Sequence, residues 1–476
     1  MLSGPLIVRW ALLWQLPEVT TPFAIDDVVH GPVPEDEDAF VAYAQITPLL
    51  RGSKPQGSVN SVEQIIANSR KSWDANFEQW LIENQSALVQ YRNAGQLERA
   101  GGPSLATADN TTILRLHNDF RYFALIADAE ALRLERAGEL RAAWQLHAAN
   151  LRCAIHAEQP GFPVCRMVGI MVRRTALRGI TQWAEHPSLT REQLRAARAE
   201  VAKHAARRHP LINFGKAEYL AWRNTLNRPD AAHHLIPSLG GPSSAALIQL
   251  TVKQIASWTL ALPDRSLRLL KQSLVNCADQ LDVPMHERRA RIGTVQQFIF
   301  ERDPTRPLTM GQLEPQTLLH QLNSPTVTPV FQSGILLGMG SIDRAHRLDN
   351  ARLAALDVAL AAQEYYRVHQ KFPTSLLELV PEFLNKVPFD PMSPTGDPLQ
   401  YRLDENGDAV VWSLGVNEQP DSTDSDESSS AGGVAFIIRV PSETFPPVTT
   451  NESPSKKTEA TSLMPGEDPP LPNVIK

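Results

Sequence analysis

From Ile113 to Leu134 apolar residues return every three or four positions: Ile113, Leu116, Phe120, Phe123, Ala127, Ala131 and Leu134. That period draws one apolar stripe along a helix, with Arg115, Asn118, Arg121 and Asp128 mostly off it. Gly138 interrupts the pattern and a second helical stretch covers 139–157, so the pair predicts a helical hairpin. Similar spacing predicts helices over 35–50, 164–185, 191–208, 212–226, 243–260, 264–280 and 285–302. Thr190 stands three residues before Gln193, the spacing of a capping box at a helix start. No convincing strand alternation precedes residue 398. The expectation is a mainly α chain led by a large all-α domain.

Residues 303–329 are rich in proline and mark a boundary. A new helix starts near Val330. Along it Ala354, Val358, Ala361, Tyr365 and Val368 form one stripe, Leu353, Leu356 and Leu360 lie beside it, and Asp357 and Glu364 lie opposite. Short strands are expected over 399–403, 409–413 and 434–440, and the Asn406-Gly407 turn signal joins the first two as a hairpin. After Pro441 the apolar pattern is lost to Pro, Ser, Thr, Glu and Lys. Five parts follow: an apolar segment and linker (1–34), the all-α domain (35–302), a proline-rich linker (303–329), a small α+β domain (330–441) and a disordered tail (442–476).

Composition narrows the picture. The chain has 476 residues, 42% of them hydrophobic, which is enough for more than one core. Its net charge of -6 gives no global basic field for nucleic acid. Three cysteines, Cys153, Cys165 and Cys277, carry no metal spacing and no disulfide framework. They read as free thiols, with a bridge between Cys153 and Cys165 left open. The segment from Pro5 to Leu16 is apolar but interrupted by Arg9, and it is shorter than the ~20 residues of a membrane span. Three readings stand for it: a packed or interfacial helix, the end of a membrane anchor, and an export signal. The last fits worst, because no basic stretch precedes it and no small-residue cleavage site follows.

The C-terminal residues carry a recognisable order. Tyr365-Tyr366 leads to Lys371-Phe372-Pro373, then Val387-Pro388-Phe389-Asp390-Pro391, then Gly396-Asp397-Pro398-Leu399-Gln400-Tyr401, and finally Trp412-Ser413-Leu414-Gly415. From about Ser341 to Pro441 the chain resembles the soluble domain of type II secretion major pseudopilins. Those have a long helix, a short helix, a "P-x-D-P" segment, a hairpin and an "S-x-G" before a metal-binding loop. Their basic leader, processing site and membrane helix with its glutamate are not seen at Met1 or before Val330. A borrowed module is therefore expected, not a processed pilus subunit. The whole chain is also similar to a broad group of planctomycete-type bacterial proteins with an N-terminal anchor, a helical domain and this module. Val33-Pro34-Glu35-Asp36-Glu37-Asp38-Ala39, Tyr43 and Trp80-Leu81-Ile82-Glu83-Asn84 carry that likeness.

The pseudopilin resemblance implies a structural calcium in the loop 417–426, with Asp421, Asp424 and Asp426 as oxygen donors. The plainer reading is a solvated acidic loop. No other cofactor is expected. Thirteen histidines invite a metal site, but His233-His234, His204 with His209, and His286-Glu287 all lack ligand spacing. The basic stretch Arg173, Arg174, Arg178, Arg191, Arg195, Arg198, Lys203, Arg207 and Arg208 reads as a solvated or ion-paired face before it reads as an anion site. The hairpin around Gly138 is only loosely like a tetratricopeptide unit, and no second copy follows it. The leading expectation is a non-enzymatic, envelope-associated interaction protein that binds other proteins, not nucleic acid, and meets a membrane through its N-terminus. The alternatives are an enzyme with a site assembled within the helical domain, and a cytoplasmic location.

Overall fold

The computed structural model describes residues 3–19, 24, 26–51, 73–109, 116–159, 161–228, 262–278, 281–288, 308, 310–322, 329–413, 434–439, 441 and 448–449. Twelve α-helices lie among the described residues: α1 (Ser3–Trp14), α2 (Ala39–Ala44), α3 (Ala75–Glu83), α4 (Gln85–Gln96), α5 (Leu116–Arg136), α6 (Leu140–Glu158), α7 (Pro163–Ala184), α8 (Arg191–Ala206), α9 (Leu211–Leu226), α10 (Leu262–Cys277), α11 (Pro315–Leu322) and α12 (Pro329–His369). The strands are β1 (Trp73–Asp74), β2 (Gln400–Leu403), β3 (Ala409–Ser413), β4 (Val434–Ile438) and β5 (Val448–Thr449).

The hairpin of α5 and α6 is the centre of the helical domain. Gly138 turns the chain at φ 78°. Its N–H donates to the Glu135 carbonyl at 3.0 Å, and the Glu139 N–H donates to the Leu134 carbonyl at 2.8 Å. These two bonds make a Schellman cap, which needs a left-handed residue at this position. Phe120, Phe123, Ala127, Ala131 and Leu134 are buried in the main core, as the stripe predicts. The stripe does not end there. Tyr122, Ala124, Leu125, Ile126 and Ala129 are buried too, so α5 is covered nearly all round. Asp128, placed off the stripe by its spacing, is consequently buried.

The predicted helix starts and stops hold where capping chemistry is local. Thr190 accepts from the Gln193 N–H while the Gln193 side chain accepts from the Thr190 N–H, so α8 begins on a complete capping box. The helix expected over 35–50 is shorter. Asp38 takes the cap position, accepting from the Phe40 N–H at 2.8 Å, so α2 starts only after it. Pro48 then opens a separate 3₁₀ turn at Thr47–Leu49. Of the stretch 285–302 only 285–288 is described, with a 3₁₀ turn at Met285–Glu287, and 243–260 lies outside the described residues.

The long helix α12 belongs to two cores at once. Leu353, Leu356 and Leu360 complete the helical core. Val358, Ala361 and Tyr365 join a second core with Phe372, Leu379, Phe383, Leu384, Leu399, Val411 and Ile438. The leucines beside the predicted stripe thus face the helical domain, and most of the stripe faces the sheet, but Val368 at its end is 46% exposed. At about 1.5–3 kcal/mol for each fully buried leucine, this face is a substantial tie between the two units.

Strands β2, β3 and β4 form an antiparallel sheet in that order, with Tyr401 opposite Val411 and Val411 opposite Phe436. The turn after β2 closes with Gly407 donating to Asp404 at 3.1 Å and Gly407 at φ 82°. In the segment before the sheet, Asp390 accepts from the Met392 N–H at 2.8 Å and from the Ser413 hydroxyl at 2.7 Å. A buried carboxylate thus pins the loop to β3. One pairing gave no sequence signal: β1 and β5 run parallel, Trp73 opposite Val448. Two residues are too few for an alternation to be read. The rest of the tail from 450 lies outside the described residues.

Replacing Gly138 with alanine should cost about 1 kcal/mol, because the penalty is conformational and nothing lies within 4 Å of an added Cβ. Urea midpoints of Gly138→Ala and Gly138→Asn check it: asparagine, which tolerates the left-handed region, should lose less. Equal loss for both would count against the cap.

Candidate functional site

The densest polar chemistry among the described residues is buried where α6, α7 and α12 meet. Arg166 and Arg173 lie seven residues apart on α7 and so share a face. Glu158, at the end of α6, takes both: Arg166 Nη1 reaches its Oε2 at 2.6 Å and Arg173 Nη2 its Oε1 at 2.7 Å. Arg173 Nη1 then reaches Asp349 Oδ2 on α12 at 2.6 Å, and Arg208 Nη1 meets the same oxygen at 3.3 Å. The Arg166 guanidinium also contacts His346, one turn before Asp349. Arg166, Glu158 and Asp349 are all 0% exposed. Gly169 makes the approach of α6 and α7 possible, since a Cβ there would come within 2.5 Å of Glu158 Cγ and 2.7 Å of the Ala154 carbonyl.

Burial disfavours the charge on Arg173, but Asp349 and Glu158 more than offset it and hold its pKa above the ordinary arginine range. Arg208, less well paired, goes the other way. Burial, followed by the nearby Arg173 and Arg166 charges, brings it down to about 10. Burial and the surrounding arginines, Arg166 first, push His346 down to about 2, so this imidazole stays neutral. A second knot lies along the same helix. Arg288 forks onto Asp343 at 2.9 and 3.0 Å, and Arg347 Nε joins at 3.1 Å. Asp343, His346, Arg347 and Asn350 recur at three- and four-residue steps, so this part of α12 turns a polar face inward.

Of the basic stretch singled out in the sequence, Arg173, Arg178, Arg191, Arg195, Arg198 and Arg208 form ion pairs, while Lys203 and Arg207 are exposed. Arg198 binds Asp357 at 2.9 Å and Glu364 at 3.1 Å, Arg195 lies 3.5 Å from Glu364, and Arg191 meets Glu382 at 2.6 Å. Arg178 approaches Asp128 at 3.6 Å. These pairs clamp α8 to α12 and α7 to α5. The acidic partners Glu158 and Asp349, and Arg166 itself, were not picked out from sequence. The signal was available: charged residues at helical spacing inside otherwise apolar runs.

Other predicted sites are dispersed. Asp421, Asp424 and Asp426 lie outside the described residues, as do His233 and His234. Among the described residues no group of three or more His, Cys, Asp or Glu is arranged to hold a metal. His286 packs on Phe389 with ring centroids 5.5 Å apart. His204 Nε2 lies 3.6 Å from Glu200. Cys153 and Cys165 are buried free thiols, so the bridge left open between them is not formed. Burial pushes both thiols up to about 12, which makes them poor nucleophiles. A further buried group joins α5, α6 and α7, where His147 Nε2 lies 2.9 Å from Glu135 and Nδ1 lies 4.0 Å from Asp128.

Chemically, the Arg166–Glu158–Arg173–Asp349 chain acts as an electrostatic clamp. Its carboxylates are paired with arginines and its side chains are removed from solvent, while Oδ1 of Asp349 and Nε of Arg166 are buried without a hydrogen-bond partner. No family model matches the chain, and no curated protein or solved structure matches it.

Replacing Arg173 with methionine should cost about 3–5 kcal/mol, because Glu158 and Asp349 would lose their shared partner while still buried. The double variant Arg173→Met/Asp349→Asn should recover part of that loss. Chemical denaturation checks both, and a double variant no better than the single one would count against the clamp.

Burial also brings His156 down to about 4, where its Nδ1 lies 3.1 Å from the Tyr43 hydroxyl. For His156 and His346 the folded pKa lies below the unfolded value of 6.5. The unfolded chain therefore takes up protons that the folded chain refuses, and stability falls as pH drops below that unfolded value. Each histidine contributes a slope of up to about 1.4 kcal/mol per pH unit. Burial raises Glu364, Asp357, Asp282 and Glu218, which oppose this trend. Urea midpoints from about pH 6.5 to about pH 5, compared between the natural chain and a histidine variant, separate the histidine contribution. The slope should shrink in His156→Gln, and an unchanged slope would contradict a neutral buried imidazole.

Proposed function

We propose that this chain is an envelope-associated, non-enzymatic interaction protein whose helical body and pseudopilin-like C-terminal module are offered to protein partners together. The observation that carries the reading is the dual membership of α12, with one face in the helical core and the other in the module's core. A helix shared in this way makes the orientation of the two units part of the fold. The converging ionisable groups support a structural role as well. Glu158, Asp349 and Asp343 are buried against arginines, leaving them to hold helices together. Within the module the Asp390–Ser413 bond ties the "P-x-D-P" segment to the serine that opens the "S-x-G" segment. Fold alone does not name the partner.

The test is fractionation of cells carrying the full chain with its native N-terminus, followed by crosslinking and pull-down. The expected outcome is recovery in the envelope fraction with a specific protein crosslinked to it. A chain found wholly in the soluble cytoplasm, with no crosslinked partner, would overturn the proposal.

A further inference from the structure

The polarity of α1 is inverted. On a helix lying against a soluble protein, apolar residues face in and charges face out. Here the one charged residue, Arg9, turns inward and pairs with Asp264 on α10. The large apolar residues Leu6, Ile7, Trp10 and Trp14 point outward, with 52%, 63%, 62% and 73% of their surface exposed. Trp10 and Trp14, one turn apart, bring their rings within 5.2 Å of each other.

The helix is held along the protein, not left as a free end. Leu16 beneath it is 0% exposed. Arg268 of α10 donates to the Leu13 carbonyl at 3.2 Å and the Leu16 carbonyl at 3.0 Å. Gln272 reaches the Pro17 carbonyl at 3.3 Å. The outward face is thus fixed in place. In the loop that Gln272 also contacts, Met310 is 80% exposed.

Charge says what covers this face. Helix α1 has no acidic residue, and α10 beneath it has Arg265, Arg268 and Lys271 against Asp264. With Arg9, and with the exposed Glu18 that follows α1, that is four cations and two carboxylates, a local excess of two positive charges in a chain of net charge -6, with Arg265 buried and bonded to Gln321. Paired tryptophans beside aliphatic side chains suit the boundary between headgroups and acyl chains. A twelve-residue helix is about 18 Å long, enough to lie in that layer and too short to cross it.

We infer that the outward face of α1, on its basic α10 support, is a docking surface for an anionic phospholipid bilayer. The inference deepens the envelope association proposed above and rests on it for cellular context. The contact is peripheral, with the indole rings at the headgroup level and the positive charge of the α10 support drawing it to anionic headgroups.

The test uses the purified full chain and vesicles of phosphatidylcholine, alone or mixed with phosphatidylglycerol. Flotation should recover the chain with the mixed vesicles, less at high salt. Brominated lipid should quench its tryptophan fluorescence. Trp10→Ser/Trp14→Ser should weaken binding roughly ten-fold or more while leaving the thermal midpoint unchanged, because both rings are mostly exposed. Failure to float with mixed vesicles, or equal binding by the variant, would overturn the inference. So would equal binding to phosphatidylcholine alone, or a concentration-dependent dimer abolished by the variant, which would assign the face to a second copy. A chain that crosslinks its partner in the envelope but ignores vesicles defeats this inference alone. One that binds vesicles and crosslinks no protein defeats the interaction role alone.

Discussion

Arg173 holds Glu158 of α6 with one guanidinium nitrogen and Asp349 of α12 with another, both within 2.7 Å. This bridge determines how the last long helix meets the helical domain. Three helices converge on a single fully charged group in the interior, and each carboxylate it holds is shared with a second arginine. Buried charges of this kind are weak sources of net stability, because desolvation consumes most of the attraction. Their force is negative: any arrangement that separates them leaves an ion without water and without a partner. Gly169 belongs to the same constraint, since a side chain there would drive α6 and α7 apart and move Glu158 out of reach.

Helix periods, the Gly138 turn, the Thr190 capping box and the hairpin with Gly407 were legible in the sequence because each depends on residues a few positions apart. What α12 touches was not. The spacing separates Leu353, Leu356 and Leu360 from Val358, Ala361 and Tyr365, but it cannot say that one set meets a helical bundle and the other a sheet. Glu364 shows the same limit. It lies opposite the sheet-facing stripe, which on a surface helix would mean solvent. Because α8 covers that side, its side chain is 0% exposed and paired with Arg198. Burial raises its pKa, and the arginines only partly restore it. Asp128 on α5 is the parallel case.

Candidate chemistry was legible only in part. The basic stretch on α7 and α8 was visible, and its reading as ion-paired holds for Arg173, Arg191, Arg195, Arg198 and Arg208. The acids that complete it stand up to 191 residues away in sequence, so no local window could have joined them. Asp390 and Ser413 illustrate the opposite situation. Two short motifs separated by 23 residues could be named from sequence, and a single hydrogen bond explains why one needs the other.

The ion pairs also resolve a difficulty posed by α12 itself. Its inner positions after Asn350 are largely alanine and leucine: Ala351, Leu353, Ala355, Leu356, Ala359, Leu360 and Ala362 are all buried. Such a surface can slide. A shift of one turn, about 5.4 Å, would place leucines near leucine positions and alanines near alanine positions at modest packing cost. The same shift would take Asp349 away from Arg173 and Asp343 away from Arg288, leaving several buried ions unpaired at a cost of several kcal/mol each. The register that keeps Asp349 on Arg173 is the one that puts Leu356 into the helical core and Val358 into the sheet core. Charge thus fixes the position along the helix and apolar burial supplies the adhesion. The geometry of the C-terminal module relative to the helical body follows from the two together.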